Sequence, residues 1–238
     1  MKIGYCMVPV LAIAASAVAA SGDPGKSSSA AGPWRKAAEE GGVTIYTRDK
    51  PGTPIKEVKA IGMIEAPPYA CMNVVCDLGH FSEFMPYTNE STIVGREGDQ
   101  VVFSYQHLKL PLVDNRDYTL RVVDETPPPG PSGEPAYYKS SWTPANERGP
   151  KPRSDTVRVV VNTGHWLFEP VDDGKRTRAT YYLFTDPGGM IPSFVANRAN
   201  TQAIPDLFKA LRTQSRSERF AKPRQPKPAL SQPATRPQ

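Results

Sequence analysis

Cysteine is scarce in this 238-residue chain: three occur, and Cys6 precedes the N-terminal apolar stretch. The other two, Cys71 and Cys76, fall on one expected helix five residues apart and point to different sides, so an internal bridge is geometrically poor. No Cys/His spacing suited to a metal is present. Histidine is equally sparse. His80, His107 and His165 are scattered without a Ser, Asp or Cys partner at a motif spacing, and no G-x-S-x-G, Walker or dinucleotide-binding glycine pattern occurs. The commonest hydrolytic, nucleotide-dependent and metal-dependent chemistries therefore lack their sequence carriers, and no cofactor is expected.

Long apolar runs are missing too. Lys2 precedes an uncharged run from Ile3 to Ser21 whose apolar part, about Met7 to Ala20, is Ala-rich and short of the ~20 strongly apolar residues a span needs. It ends in small residues, and Ala17-Val18-Ala19 or Val18-Ala19-Ala20 fits the small-x-small cleavage pattern. Residues 1–20 read as a signal peptide, which predicts a periplasmic or secreted protein. Cys6 stands before the apolar stretch, the wrong place for a lipoprotein cysteine.

Charge of one sign is absent from the body. The formal net charge is +5, but the segment from Arg216 holds Arg216, Arg219, Lys222, Arg224, Lys227 and Arg236 against Glu218 alone. Without that segment and Lys2 the rest is nearly neutral, so the basic balance does not argue for nucleic acid. Residues 217–238 are expected to be a disordered, Pro-rich basic tail, with weak attraction to an anionic membrane surface as its sharper use. Residues 21–33, rich in Gly, Ser, Ala and Pro, form a flexible leader.

What the chain does have is strand signals and one strong helical pattern. From Pro192, Ala196, Ala199, Ala203, Ile204, Leu207, Phe208 and Leu211 recur at three- and four-residue steps, which predicts a long amphipathic helix. Pro187-Gly188-Gly189 supplies the turn before it. Trp34 to Glu40 reads as a short helix stopped by Gly41-Gly42, Val43 to Arg48 as a strand, and Lys56 to Glu65 as a strand with Val58, Ala60, Gly62 and Ile64 on one face. Pro67-Pro68 opens a helix. Strands then follow over Ser91–Arg96, Gln100–Leu110, Asp117–Asp124, Ala136–Trp142, Thr156–Phe168 and Arg176–Phe184, with connections that favour an antiparallel meander. This is an α+β domain large enough to bury a full core, over about residues 34–216.

Trp34, Gly42-Val-Thr-Ile-Tyr-Thr-Arg48, Lys56-Glu-Val-Lys-Ala60, Phe84-Met-Pro86, Asn115-Arg-Asp-Tyr118, Gly164-His-Trp-Leu-Phe-Glu-Pro170 and Asp186-Pro-Gly-Gly-Met-Ile-Pro192 with Asn197 stand in an order that resembles the START (StAR-related lipid-transfer) domain family. The resemblance implies a helix-grip fold, in which a curved antiparallel sheet wraps a long C-terminal helix around an internal hydrophobic tunnel for one lipid. It also implies a lid made of that helix and the loop Lys109 to Asn115. On this reading Leu110, Pro111 and Leu112 belong to the lid, and Gly188, Gly189 and Pro192 to its hinge.

Alternation assigns faces. Tyr118, Leu120 and Val122 should point inward from their strand, Val157, Val159 and Val161 from the next with Arg158 and Asn162 outward, and Ala179, Tyr181 and Leu183 from the last. If a tunnel exists, its expected lining is Tyr105, His107, Tyr118, Leu120, Val122, Val159, Val161, Tyr181 and Leu183, closed by Ile204, Leu207 and Leu211. Sterol-handling members of the family carry a basic residue at the register of Val122, and Arg121 falls on the opposite face, which points to a more apolar cavity. The resulting expectation is a monomeric, non-enzymatic lipid-binding and transfer protein with transient membrane contact. Two alternatives remain: a cyclase or aromatase of the same superfamily, with Tyr105, His107 and Arg116 as loose candidates, and an envelope interaction protein with a solid core.

Overall fold

The computed structural model describes residues 31–110, 113–131 and 133–223. The expected signal peptide, most of the leader, Pro111 and Leu112 of the lid loop, and the tail beyond residue 223 lie outside the described residues. The strands β1 (Arg35–Glu40), β2 (Val43–Arg48) and β3 (Glu57–Ile64) are followed by the helices α1 (Pro68–Val75) and α2 (Phe81–Phe84). Then come β4 (Thr88–Glu97), β5 (Val101–Leu108), β6 (Asn115–Glu125), β7 (Tyr138–Pro144), β8 (Thr156–Arg158), β9 (Val161–Val171) and β10 (Arg176–Asp186), and finally α3 (Ser193–Gln202) and α4 (Ile204–Gln214). They form one ten-stranded sheet in the order β1-β2-β3-β10-β9-β7-β6-β5-β4, with β8 paired to β6 off that path.

The meander is thus interrupted where β3 pairs with β10, which brings the two ends of the domain together. Along β3 the buried residues facing α4 are Val58, Ala60, Gly62 and Ile64, as alternation requires, and Glu57 at the strand's start is buried as well. That face meets α4 through Phe208, which is fully buried with Ile204 and Leu211. α1 opens at Pro68, whose missing N–H costs nothing in a first turn, and buries Ala70, Cys71, Val74 and Val75 in the same core.

Four expectations about the elements are corrected. Trp34 to Glu40 is no helix: residues 35–40 pair with β2 as an exposed edge strand. Gly41 and Gly42, at φ 57° and 69°, make the two-residue hairpin turn that positive φ favours. The run Thr156 to Phe168 is two strands, β8 parallel to β6 and β9 antiparallel to β10. The break at Val159-Val160 resets the alternation, so Asn162 is buried and Val161 turns to the other side.

The long helix is likewise divided. Pro205 has no N–H and its ring would meet the carbonyl of Thr201 in a continuous helix, so the chain turns at Ala203 and Pro205 sits in the first turn of α4. Finally, the fold runs past residue 216. Phe220 is buried in the main core, and the Asn73 side-chain amide donates to the Phe220 carbonyl at 3.1 Å and to that of Lys222 at 2.8 Å.

Candidate functional site: the inner wall and its mouth

The inner wall is written in cross-strand rows. Val58, Leu183, Gly164, Trp142, Val122 and Val102 stand side by side from β3 to β5. Ala60, Tyr181, Trp166, Ser140 and Asp124 form the next row. Because Gly164 has no side chain, the Trp142 ring lies across it, with the indole N–H donating to Asn162 Oδ1 at 3.0 Å. The aromatic rings are contiguous. Trp142 lies 5.9 Å from Tyr181, Tyr181 4.5 Å from Trp166, and Trp166 5.3 Å from Phe208 of α4.

A second apolar group, Leu78, Val102, Leu120 and Val122, lies toward the β4–β5 end. Between the two groups Tyr118, Leu183, Leu207 and Trp142 are only half-buried. Several polar groups on this wall satisfy one another, although the buried Ser104 hydroxyl on the inner face of β5 has no partner among the described residues. Tyr118 donates to Gln106 Oε1 at 2.9 Å, while Asp124 accepts from Ser140 at 2.8 Å and from the Cys76 thiol at 3.1 Å. Burial pushes the Tyr118 and Tyr181 hydroxyls well above the usual tyrosine range, and Tyr181 is raised further by Tyr118.

At one end the wall runs into two loops. Arg116, on the same face of β6 as Tyr118, donates to the carbonyls of Asp114, Pro187 and Gly188, and so joins the lid-loop end to the turn before α3. Gly188 and Gly189 both have positive φ, 65° and 72°. α3 is tied to the same end: Asn197 accepts from the Lys56 N–H at 2.8 Å and donates to the Pro54 carbonyl at 3.0 Å, and Asn200 donates to the Thr185 carbonyl at 3.1 Å.

Most of the anticipated lining meets on this wall: Tyr118, Leu120, Val122, Tyr181 and Leu183 from the sheet, Ile204, Leu207 and Leu211 from α4. Val159, buried with its N–H on the Asp117 carbonyl at 2.9 Å, joins neither apolar group, and three further residues lie off the wall. Tyr105 and His107 are on the opposite face of β5, a correction that follows from register, since Val102 faces the core group and odd positions face away. There Tyr105 donates to buried Asp117 at 3.1 Å, Arg158 binds both carboxylate oxygens of Asp117 at 2.6 and 3.0 Å, and His107 Nε2 stands 3.4 Å from Thr156 Oγ1. Burial, then Asp117, pushes the Tyr105 hydroxyl up to about 12. Val161 is the third, turned by the β8–β9 break. Arg158, expected outward, does lie on that outer face, where it neutralises Asp117.

Sequence reasoning missed three features of the wall: Trp142, Trp166 and the inward Asn162. The signal for Trp142 and Trp166 was their position in the rows opposite Val122 and Tyr181. Asn162 needed knowledge of the strand break.

Two surface clefts of about 450 and 330 Å³ flank α4 on its solvent side and share Asp206, Lys209 and Thr213. They lie outside the wall. Among the described residues no helix is long and apolar enough to cross a membrane.

A sheet that grips a C-terminal helix through an aromatic and aliphatic inner wall, closed by two tethered loops, defines a helix-grip ligand-binding domain. Residues 64–212 match the family described as polyketide cyclase/dehydrase and lipid transport. The phosphatidylcholine transfer protein of Mus musculus is 27% identical over 183 residues, covering 74% of this chain and 80% of that protein. A StAR-related lipid transfer protein from Xanthomonas axonopodis superposes with a TM-score of 0.67 at 25% identity, over 77% of this chain and 99% of that one. Human StAR-related lipid transfer protein 5, at 17% identity and a TM-score of 0.67, shares the fold over 76% of this chain and 86% of its own. The chain belongs to the polyketide cyclase/dehydrase and lipid transport family, as a START domain.

Proposed function

We propose that this START domain is a carrier that holds one lipid between its sheet and α4, and that it works outside the cytoplasm as a monomer touching membranes transiently. The observation that carries the reading is the continuous apolar row from Val58 through Leu183, Trp142 and Val122 to Val102, faced by Phe208, Leu207 and Leu211. Removing ~400 Å² of a lipid's apolar surface from water at ~25 cal/mol per Å² is worth on the order of 10 kcal/mol before ordering costs. That retains a lipid without a catalytic group. The separation of Tyr105 and His107 from Arg116 across the sheet supports a binding role over a cyclase role, because the three share no reaction space. The apolar start of the chain, with Lys2 ahead of it and small residues at Ala17 to Ala20, supports export.

Native mass spectrometry of the protein purified from the envelope of its own host tests this. A mature mass beginning near residue 21 with one lipid bound is the expected result. A clean apo mass, together with no uptake from labelled liposomes, would sink the carrier reading.

A further inference from the structure

β1 ends the sheet without a second neighbour. It stands last in the strand order, pairs with β2 on one side only, and all six of its residues, Arg-Lys-Ala-Ala-Glu-Glu, are exposed. An edge strand with open backbone donors and acceptors is a template for a further strand, and charges on it decide which strand can come. Here two cations open the strand and two anions close it.

The register against β2 fixes the face of each charge. Lys36 stands opposite Tyr46 and Glu39 opposite Thr44, so these two share one face, and they form an ion pair there. Arg35, Ala38 and Glu40 stand opposite Thr47, Ile45 and Val43 and share the other. The bulge between Lys36 and Ala38 makes Ala37 the extra residue. Without it Arg35 and Glu40 would fall on opposite faces, and no pairing of the strand with itself could match them. Arg35 and Glu40 have no ion-pair partner among the described residues, although Glu40 lines a cleft with Lys209, Arg212 and Arg216. With Ala37 set aside, each cation lies as far before Ala38 as an anion lies after it. Antiparallel pairing with a second β1, about a twofold axis at Ala38, therefore sets Arg35 against Glu40 and Lys36 against Glu39, each pair on a single face. Parallel in-register pairing would stack like charges, and a one-residue slip would turn every charge away from its partner.

We propose that β1 is a self-association edge whose partner is a second copy of this chain, joined by an antiparallel β1–β1 pair that continues the ten-stranded sheet into its neighbour. Six residues a side fall well short of the roughly 20–30 of a standard interface, so the pairing is weak, with a dissociation constant on the order of 100 μM. The free carrier is then a monomer, and copies join only where they are concentrated. This pairing does not depend on what the inner wall holds.

Sedimentation velocity of the full-length mature protein from about 10 to 1000 μM at low salt tests it. Two variants accompany the wild type: Glu39→Lys with Glu40→Lys, which leaves only cations on the edge, and Arg35→Glu with Lys36→Glu, which leaves only anions. The wild type should self-associate, and each variant alone should do so at least about tenfold more weakly. An equimolar mixture of the two variants should form a mixed dimer, because a cationic edge then faces an anionic one. A wild type that stays monomeric over the whole range overturns the proposal whatever the variants do. A variant that associates alone as tightly as the wild type also overturns it, by placing the contact elsewhere on the surface. So does a mixture that stays monomeric when both variants melt as the wild type does.

Discussion

Among the described strand glycines, Gly164 is the most closely approached. A Cβ there would stand 2.3 Å from the Tyr182 carbonyl oxygen and 2.4 Å from Trp142 Cζ2. The carbonyl cannot yield without breaking the β9–β10 ladder, so Gly164→Ala should lose about 1–3 kcal/mol of stability by urea unfolding and should displace the Trp142 ring, seen as a shift in tryptophan emission. Glu57 gives a prediction in pH. Burial alone would raise its carboxyl, but hydrogen bonds from Arg48, Tyr182 and Lys50 outweigh it and hold the group below its usual 4.5. A depressed carboxyl contributes stability in full above about pH 4.5 and loses it as pH falls through the folded value, so Glu57→Gln should flatten the acid limb of the melting temperature below that point. His165 acts in the same direction at higher pH. Burial, then Lys139, lowers its value below 6.5, and E57Q should leave that shallower slope in place. At this scale the sequence was readable where alternation ran unbroken, as in Tyr118–Val122 and Ala179–Leu183. It misled at Tyr105 and His107, because β5 is buried on both faces and a run of apolar residues does not say which face is the wall.

Among the elements, the division of the C-terminal helix matters most. α4 buries Ile204, Phe208 and Leu211, whereas α3 buries Ala196 alone and leaves Phe194 73% exposed. The tie of α3 to the sheet is largely polar, through Asn197 and Asn200. Asn197→Ala removes both bonds to the Pro54–Lys56 loop and should raise amide hydrogen exchange across residues 193–202 while α4 stays protected; equal loosening of both helices would contradict it. The reading of one long helix passed over Pro205. The apolar period ran straight through it, and periodicity cannot distinguish one helix from two that share a stripe. The edge strand β1 was hidden for a similar reason. Arg-Lys-Ala-Ala-Glu-Glu has helix-forming residues, and only pairing with β2 across the Gly41-Gly42 turn overrides them.

For the whole molecule, the order and spacing of the strands were legible from residue 43 to residue 186 wherever a turn signal ended each strand, and failed at the Val159-Val160 break, which carries none. The pairing of β3 with β10 was not, because no local signal specifies a contact between residues so distant in the chain. The near-neutral body separates binding from surface attraction. A chain ending at Pro223 should load lipid as fully as the intact protein and lose the salt-sensitive part of its attachment to anionic vesicles; reduced loading would show that the tail belongs to the carrier.

The turn at Ala203 has a kinetic consequence. Cargo residence time depends on how often the way out opens, whereas survival of the domain depends on α4 staying in the core. On the proposed carrier reading, with α4 holding the core and α3 bearing on the way out, a substitution in α3 should change cargo retention while the melting temperature barely moves, so release could be adjusted without endangering the fold.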